Sequence, residues 1–436
     1  MTQDQLIELR ERGPSIEVSL NHQQHQQLKQ VMSFYDSIAH SFDEDQREVD
    51  TDSKLDERDN GAPLTLSYSR RDLQTKDSNI FSVRASDYVG VIAVDGITIT
   101  IAPKIDLMHF LYIISRATGW DILREKESKQ LNLSSQPHSF LEVVATWFLD
   151  QVARLIPNRL LSDYRRTEDF TAFVRGPVDP RRTTDAWLRG ELLVYNSFDV
   201  FDVDTPQNRL LKEALRVTSL LPNLPAVVTR RARGLYSLLD DVGFYQPSDS
   251  RAPTDRRYLS MGFAPALALA RRLISNRGYR STQSDQFTQP FLLKTFDLIE
   301  TGIRTILATG LRDSHAIDKS TISYQDQKKA APDLVFTAKR TNARVATGDV
   351  KYKFADSWDS HRVDLYQATY FATAAKVHAG CTIYFSAQPL RPDISEFPGE
   401  ISLRQLYWNC ASNTSPRDSE EKLLLEVQEM LSTAGG

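Results

Sequence analysis

Asp333, Asp349 and Lys351 are the residues whose types and spacing best suit a reaction. Ala331-Pro-Asp-Leu-Val-Phe336 leads through Lys339-Arg-Thr-Asn342 into Val345-Ala-Thr-Gly-Asp-Val-Lys-Tyr-Lys353. Side chains alternate with period two along a strand. That places Asp333 with Val335, and Asp349 with Lys351 and Lys353. Pairing of the two strands through the Lys339–Ala343 turn would set both carboxylates side by side, with an amine next to them. Carboxylates this close repel unless a cation intervenes. Mg²⁺ (or Mn²⁺) accepts such hard oxygens while keeping waters and phosphate oxygens in its shell. The metal acidifies a bound water and neutralises transition-state charge on the phosphate, and Lys351 can orient the water or offset the developing charge. The chemistry this equips is hydrolysis of a phosphodiester.

The short pattern acid-x-Lys occurs five times, starting at Asp52, Glu127, Asp326, Asp349 and Glu420, so by itself it identifies nothing. Only Asp349 combines an apolar strand context with Pro-Asp upstream at hairpin distance. The competing reading is a surface hairpin with an Asp–Lys ion pair. Two neighbours add to the constellation. A helix expected over about 290–309 carries Glu300 at the edge of the stripe Ile299, Ile303, Ile306 and Leu307, with Asp297 as a rival acid one turn earlier. A helix expected over about 362–378 carries Gln367 and Tyr370 on one face.

The elements that must hold these residues change character along the chain. Residues 1–60 hold fourteen Asp/Glu against six Lys/Arg and read as an acidic leader and linker. Within them, Ile7–Val18 could pair as two strands around Gly13-Pro14. Asn21 is a plausible N-cap, and His22 and His25 read as a solvated helix face. Residues 61–282 read as an N-terminal β-rich region followed by a helical middle region. Leu64, Leu66 and Tyr68 alternate, and Val89–Val94 and Ile97–Ile101 flank an Asp95-Gly96 hairpin turn. Thr205 with Pro206 marks a helix start. Thr229–Arg280, with ten Lys/Arg and four Asp/Glu, is either a set of solvated faces or a phosphate-contacting surface. Residues 283–436 read as a compact α/β domain, so the whole is an α/β multidomain protein.

Composition excludes several classes. The chain has 436 residues, 53 Lys/Arg against 57 Asp/Glu, and two cysteines. There is no disulfide scaffold, no zinc-finger or deaminase spacing and no Gly-x-Ser-x-Gly elbow. The absence of a signal-like start or a run of ~18 apolar residues predicts a cytoplasmic protein without a membrane span. No Gly-Lys dipeptide occurs, so the chain lacks a P-loop.

With these residues in view, the sequence resembles the McrC family, the nuclease subunit of McrBC-type modification-dependent restriction systems, from about Leu64 to Phe385. Pro332-Asp333 and Asp349-Val-Lys351 match a PD-(D/E)XK restriction-endonuclease-like motif, Gln367 its following helical polar position, and Ile299-Glu300 the family's hydrophobic-Glu pair. Asp87-Tyr-Val-Gly-Val-Ile92, Ile99-Thr-Ile-Ala-Pro-Lys-Ile105, Val174-Arg-Gly-Pro-Val178 and Asp204–Lys212 are similar to its N-terminal and middle regions. The resemblance implies Glu300, Asp333 and Asp349 as metal ligands, with Lys351 and Gln367 completing the catalytic set. It also implies a hexameric McrB-like AAA+ GTPase partner, docked by residues 61–282. Double-stranded DNA, methylated or otherwise modified, is the implied substrate. The alternatives are a non-catalytic adaptor that stimulates an AAA+ motor and a stand-alone repair nuclease.

Overall fold

A computed structural model describes residues 5–43, 62–68, 79–94, 96–118, 140–157, 160–221, 224–251, 263–275, 291–324, 328–355 and 362–434. The chain forms two compact units, one from Met1–Leu141 with Asn276–Gly436 and one from Glu142–Ser275. This differs from the expected segments 1–60, 61–282 and 283–436, because the leader and the C-terminal segment share a unit.

The N-terminal part of the first unit contains β1 (Gln5–Arg10), β2 (Ile16–Leu20), α1 (His22–Asp43), β3 (Leu64–Tyr68), β4 (Asn79–Ala85), β5 (Tyr88–Val94), β6 (Ile97–Ala102) and α2 (Leu107–Thr118). The expected pairing around Gly13-Pro14 does not form. β1 runs parallel to β6, and β2 runs antiparallel to β4. Arg12, at φ 50°, turns the chain so that β1 and β2 enter different sheets. Ile7 and Leu9 are then buried with Ile97, Ile99 and Ile101, an alternation that a buried sheet face rewards. Asn21 does cap α1: its Oδ1 accepts the Gln24 N–H at 2.8 Å, and Gln24 Oε1 accepts the Asn21 N–H at 2.9 Å, a reciprocal capping box. His25, expected on a solvated face, is buried with its ring 4.3 Å from that of Phe81. Of the expected linker Asp43–Gly61, Asp43 ends α1 and residues 44–61 lie outside the described residues, as does Asp95 of the hairpin turn.

The second unit holds α3 (Phe140–Leu155), β7 (Asp163–Thr171), α4 (Pro180–Leu188), β8 (Val194–Asp202), α5 (Pro206–Thr218), α6 (Ala226–Ser237) and α7 (Phe263–Ser275), with β7 and β8 paired as an antiparallel ribbon. Thr205 Oγ1 accepts the Asn208 N–H at 3.3 Å, with Pro206 at the first helical position. Within the basic stretch Thr229–Arg280, residues 252–262 and 276–280 lie outside the described residues.

The C-terminal part returns to the first unit as β9 (Phe291–Lys294), α8 (Phe296–Gly310), β10 (His315–Asp318), β11 (Ile322–Tyr324), β12 (Lys328–Ala330), β13 (Leu334–Ala338), β14 (Ala343–Phe354), α9 (Arg362–Ala375), β15 (Ala379–Ser386), β16 (Asp393–Phe397), β17 (Ile401–Asn409) and α10 (Pro416–Ala434). Six strands form one sheet in the order β10-β13-β14-β15-β17-β16. β14, β15 and β17 are parallel neighbours, and α9 supplies the crossover that a parallel pair requires. Every residue of β15 is buried, as expected for a strand covered on both faces.

The helix expected from about 290 starts at Phe296, because Phe291–Lys294 pairs instead with β5. Gly90 (φ 146°) permits that approach: a Cβ there would lie 1.8 Å from the Phe291 carbonyl oxygen. Gly302 has a similar role on α8, where a Cβ would meet the Ile113 carbonyl oxygen at 2.3 Å. It therefore lets α2 pack closely against the helix that carries Glu300. Among the described residues, no helix is long and apolar enough to cross a membrane.

Candidate active site

The hairpin register creates the centre of the site. β13 and β14 pair antiparallel with Leu334 opposite Gly348. Asp333, one residue before β13, therefore comes against Asp349. The two carboxyls are close enough for each to shift the pKa of the other. Asp333 Oδ2 also accepts the Val350 N–H at 3.0 Å, which fixes the orientation of that carboxyl. Lys351, two residues along β14 on the same face as Asp349, places Nζ 2.7 Å from Asp349 Oδ2. The same ammonium donates to Gln367 Oε1 at 2.7 Å. The rest of the face leaves the centre: Lys353 pairs with Asp364 at 2.6 Å.

Glu300 reaches the site from α8. Ile299, Ile303, Ile306 and Leu307 are buried there, and Glu300 is buried with them at 4% exposure. Asp297 is exposed, so burial separates the two acids that spacing left open. Glu300 is linked to Asp333 through Lys319, whose Nζ lies 2.9 Å from Glu300 Oε2 and 3.2 Å from Asp333 Oδ1. Tyr370 shares a helix face with Gln367 but faces elsewhere, its hydroxyl bonded to that of Tyr324. The structure thus brings together Asp333, Asp349, Lys351, Gln367 and Glu300. Sequence reading missed Lys319. It follows β10, and only the pairing of Asp318 with Val335 across the sheet carries it to Asp333. No local motif announces it.

The electrostatics follow from burial of like charges. Burial and then the Asp333 charge push the Asp349 carboxyl well up, against Lys351. Burial and then Asp333 also push Glu300 up to about 8, with Lys319 pulling the other way. For Asp333 burial acts upward too, but the Asp349 hydrogen bond, Lys319 and the Val350 N–H outweigh it and the carboxyl is lowered. Both shifts favour the protonated carboxyl, and a bound cation would oppose them.

The opposite face of β14 anchors the strand. Tyr352 donates its hydroxyl proton to Glu11 Oε2 at 3.0 Å, and Thr295, just before α8, donates to Glu11 Oε1. The Lys104 N–H donates to Glu11 Oε2 at 3.3 Å, and Lys104 Nζ lies 3.8 Å from the centre of the Tyr352 ring. Glu11, 1% exposed, thus ties the strand bearing Asp349 to the start of the helix bearing Glu300. Burial raises its carboxyl pKa, opposed first by Lys104. Beside it, Arg12 and Asp87 form a bidentate pair at 2.6 Å.

The donor set suits a hard divalent cation. Asp349 Oδ2 is buried and makes no hydrogen bond of normal geometry, although Lys351 is within ion-pair distance. Asp333 Oδ1 and Glu300 Oε2 meet Lys319. Among the described residues, no three or more His, Cys, Asp or Glu side chains lie close enough as placed to hold a metal ion together. An ion such as Mg²⁺, which keeps several waters, is held by one or two carboxylates and does not need three.

Residues 83–385 match the family described as McrBC 5-methylcytosine restriction system component. The chain belongs to that family. The McrBC-family match runs from β4 through β15 and contains all five residues gathered at the site. In fold, the chain is similar to one from an assembly of Thermococcus gammatolerans McrB AAA+ hexamers with bound McrC. The TM-score is 0.63 at 15% identity, covering 97% of this chain and 100% of that one. A chain of the Thermococcus gammatolerans McrBC complex aligns with a TM-score of 0.45 at 15% identity, over 70% of this chain and 88% of that one. No curated protein matches in sequence.

Proposed function

We propose that this McrBC-family chain is the DNA endonuclease subunit of a modification-dependent restriction complex, with a PD-(D/E)XK core built on the six-stranded sheet. The observation that carries the reading is the meeting of Asp333, just before β13, with Asp349 in the middle of β14, where Lys351 lies 2.7 Å from Asp349. Asp333, Asp349 and Glu300 would hold Mg²⁺ (or Mn²⁺). When bound, the ion supplies an acidified water and a counter-charge for the phosphate. Around it, the chain's own groups position and discharge. The Val350 N–H holds Asp333 in one orientation. Gln367 fixes the Lys351 ammonium beside Asp349, where it can meet negative charge developing on a phosphate oxygen.

The fold likeness to a chain from the Thermococcus McrB–McrC assembly supports an AAA+ hexamer as partner; on this reading the partner is a GTPase and the substrate is double-stranded DNA. The chain carries no P-loop of its own, so an energy-driven step needs that second polypeptide.

The test is Asp349→Ala in the complex with the AAA+ protein, nucleotide, Mg²⁺ and DNA. Cleavage should be abolished while co-purification with the partner is retained. Cleavage at the wild-type rate would refute the site. Full cleavage by the unaccompanied wild-type chain would refute the partner requirement.

A further inference from the structure

Lys319 holds the oxygens that a metal would need. Asp333 Oδ2 is committed to the Val350 N–H, so Oδ1 is the oxygen left for an added ligand. Lys319 Nζ lies 3.2 Å from that atom and 2.9 Å from Glu300 Oε2. The two lysines of the site differ in how they are kept. The Lys351 side chain is 14% exposed and tied to Gln367. The Lys319 side chain is 46% exposed, on the short loop between β10 and β11, and its ammonium bonds are to the two acids.

We propose that Lys319 is an internal counter-cation: it fills the Glu300–Asp333 side of the site while no metal is bound, and a divalent ion must displace it. The inference rests on the metal-dependent nuclease reading above. Three buried carboxyls stand close together, and whatever negative charge they carry is costly in a low-dielectric site unless a cation is nearby. An ammonium satisfies that need without a metal and keeps the acids apart. An ammonium and a divalent cation cannot share the same two oxygens, because each repels the other at that separation. Lys319 stands on a flexible four-carbon stem with an open side toward solvent, so it can leave. Lys351 cannot do so without breaking the Gln367 bond. Metal affinity is therefore set partly by the cost of expelling Lys319.

The experiment is a Mn²⁺ titration of the full-length chain, without DNA or partner, followed by electron paramagnetic resonance. The variants are Lys319→Met and, as a control, Lys353→Met, which removes a charge of the same strand face paired with Asp364. Lys319→Met should bind Mn²⁺ about tenfold more tightly than wild type, equivalent to ~1.4 kcal/mol, and Lys353→Met should bind as wild type does. The melting temperature of metal-free Lys319→Met should fall, and saturating Mn²⁺ should restore it. Unchanged or weaker Mn²⁺ binding by Lys319→Met overturns the counter-cation role while leaving the metal site standing. Equal tightening by Lys353→Met also overturns it, since the effect is then general charge. A wild-type chain that binds no Mn²⁺ sinks the metal-site reading itself, and this inference with it.

Discussion

Two buried clusters flank β14, and each contains carboxyl and lysine groups under opposite management. On one face, Glu11 is a single acid satisfied by the Tyr352 and Thr295 hydroxyls and the Lys104 N–H, with the Lys104 charge acting on it as well. On the other face, Asp333, Asp349 and Glu300 confront one another, with Lys319 and Lys351 between them. The first arrangement satisfies a buried acid internally, which is how such groups normally persist. The second leaves like charges opposed, a state that functional sites tolerate because a ligand relieves it. Burial alone does not distinguish a structural acid from a functional one. The identity of the facing groups does.

Four substitutions would break or sharpen that contrast. The largest effect is expected for Asp349→Asn, which should lower cleavage by at least about a thousandfold. Its metal-free melting temperature should stay level or rise, since one of the opposed charges is gone. A marked loss of stability would place Asp349 with the structural acids. Glu11→Ala should behave the other way, losing about 2–4 kcal/mol in a denaturant titration because several buried donors lose their acceptor. An effect near zero would show that the cluster behind β14 is not an anchor.

The third test is pH dependence. In the folded protein Glu300 titrates at about 8, above its ordinary value of 4.5. The folded chain therefore binds more protons than the unfolded one between those values. The stability this group contributes is complete below 4.5 and is lost as pH rises through about 8. Metal-free melting should drop by a few degrees across that window, and Glu300→Gln should flatten the slope. A slope unaltered in that variant assigns the effect to other groups. The smallest change is expected for Arg12→Ala. The Arg12 side chain is 46% exposed, and exposed ion pairs contribute about 0.2–1 kcal/mol. A larger loss would join Arg12 to the anchor.

How much of this was open to sequence reading follows from the distance over which each contact is made. Asp333, Asp349 and Lys351 belong to one hairpin, so period two and a short turn were enough to predict their meeting. Gln367 came from helical spacing on the next element. Glu300 was narrowed to two acids by its stripe, and burial chose between them. Lys319 escaped because β10 must first find β13. Glu11 escaped because its partner Tyr352 is 341 residues away, beyond any periodicity. The run Phe291-Leu-Leu-Lys294 suits helix or strand, as short apolar segments do, and the free edge of β5 decides for strand. Around Gly13-Pro14 the sequence carries no signal pointing to β6 and β4, so a local pairing is the only one it suggests.

The pairing of Phe291–Lys294 with β5 has a practical consequence for anyone wishing to isolate the C-terminal α/β part. A fragment beginning near residue 283 would leave β9 with a row of unpaired amides and carbonyls, an invitation to aggregate. It would also strip the phenol of Tyr352 of its acceptor, one residue from Lys351. The N-terminal strands thus support the strand that carries Asp349 from behind, and cutting them away should cost solubility and alignment together.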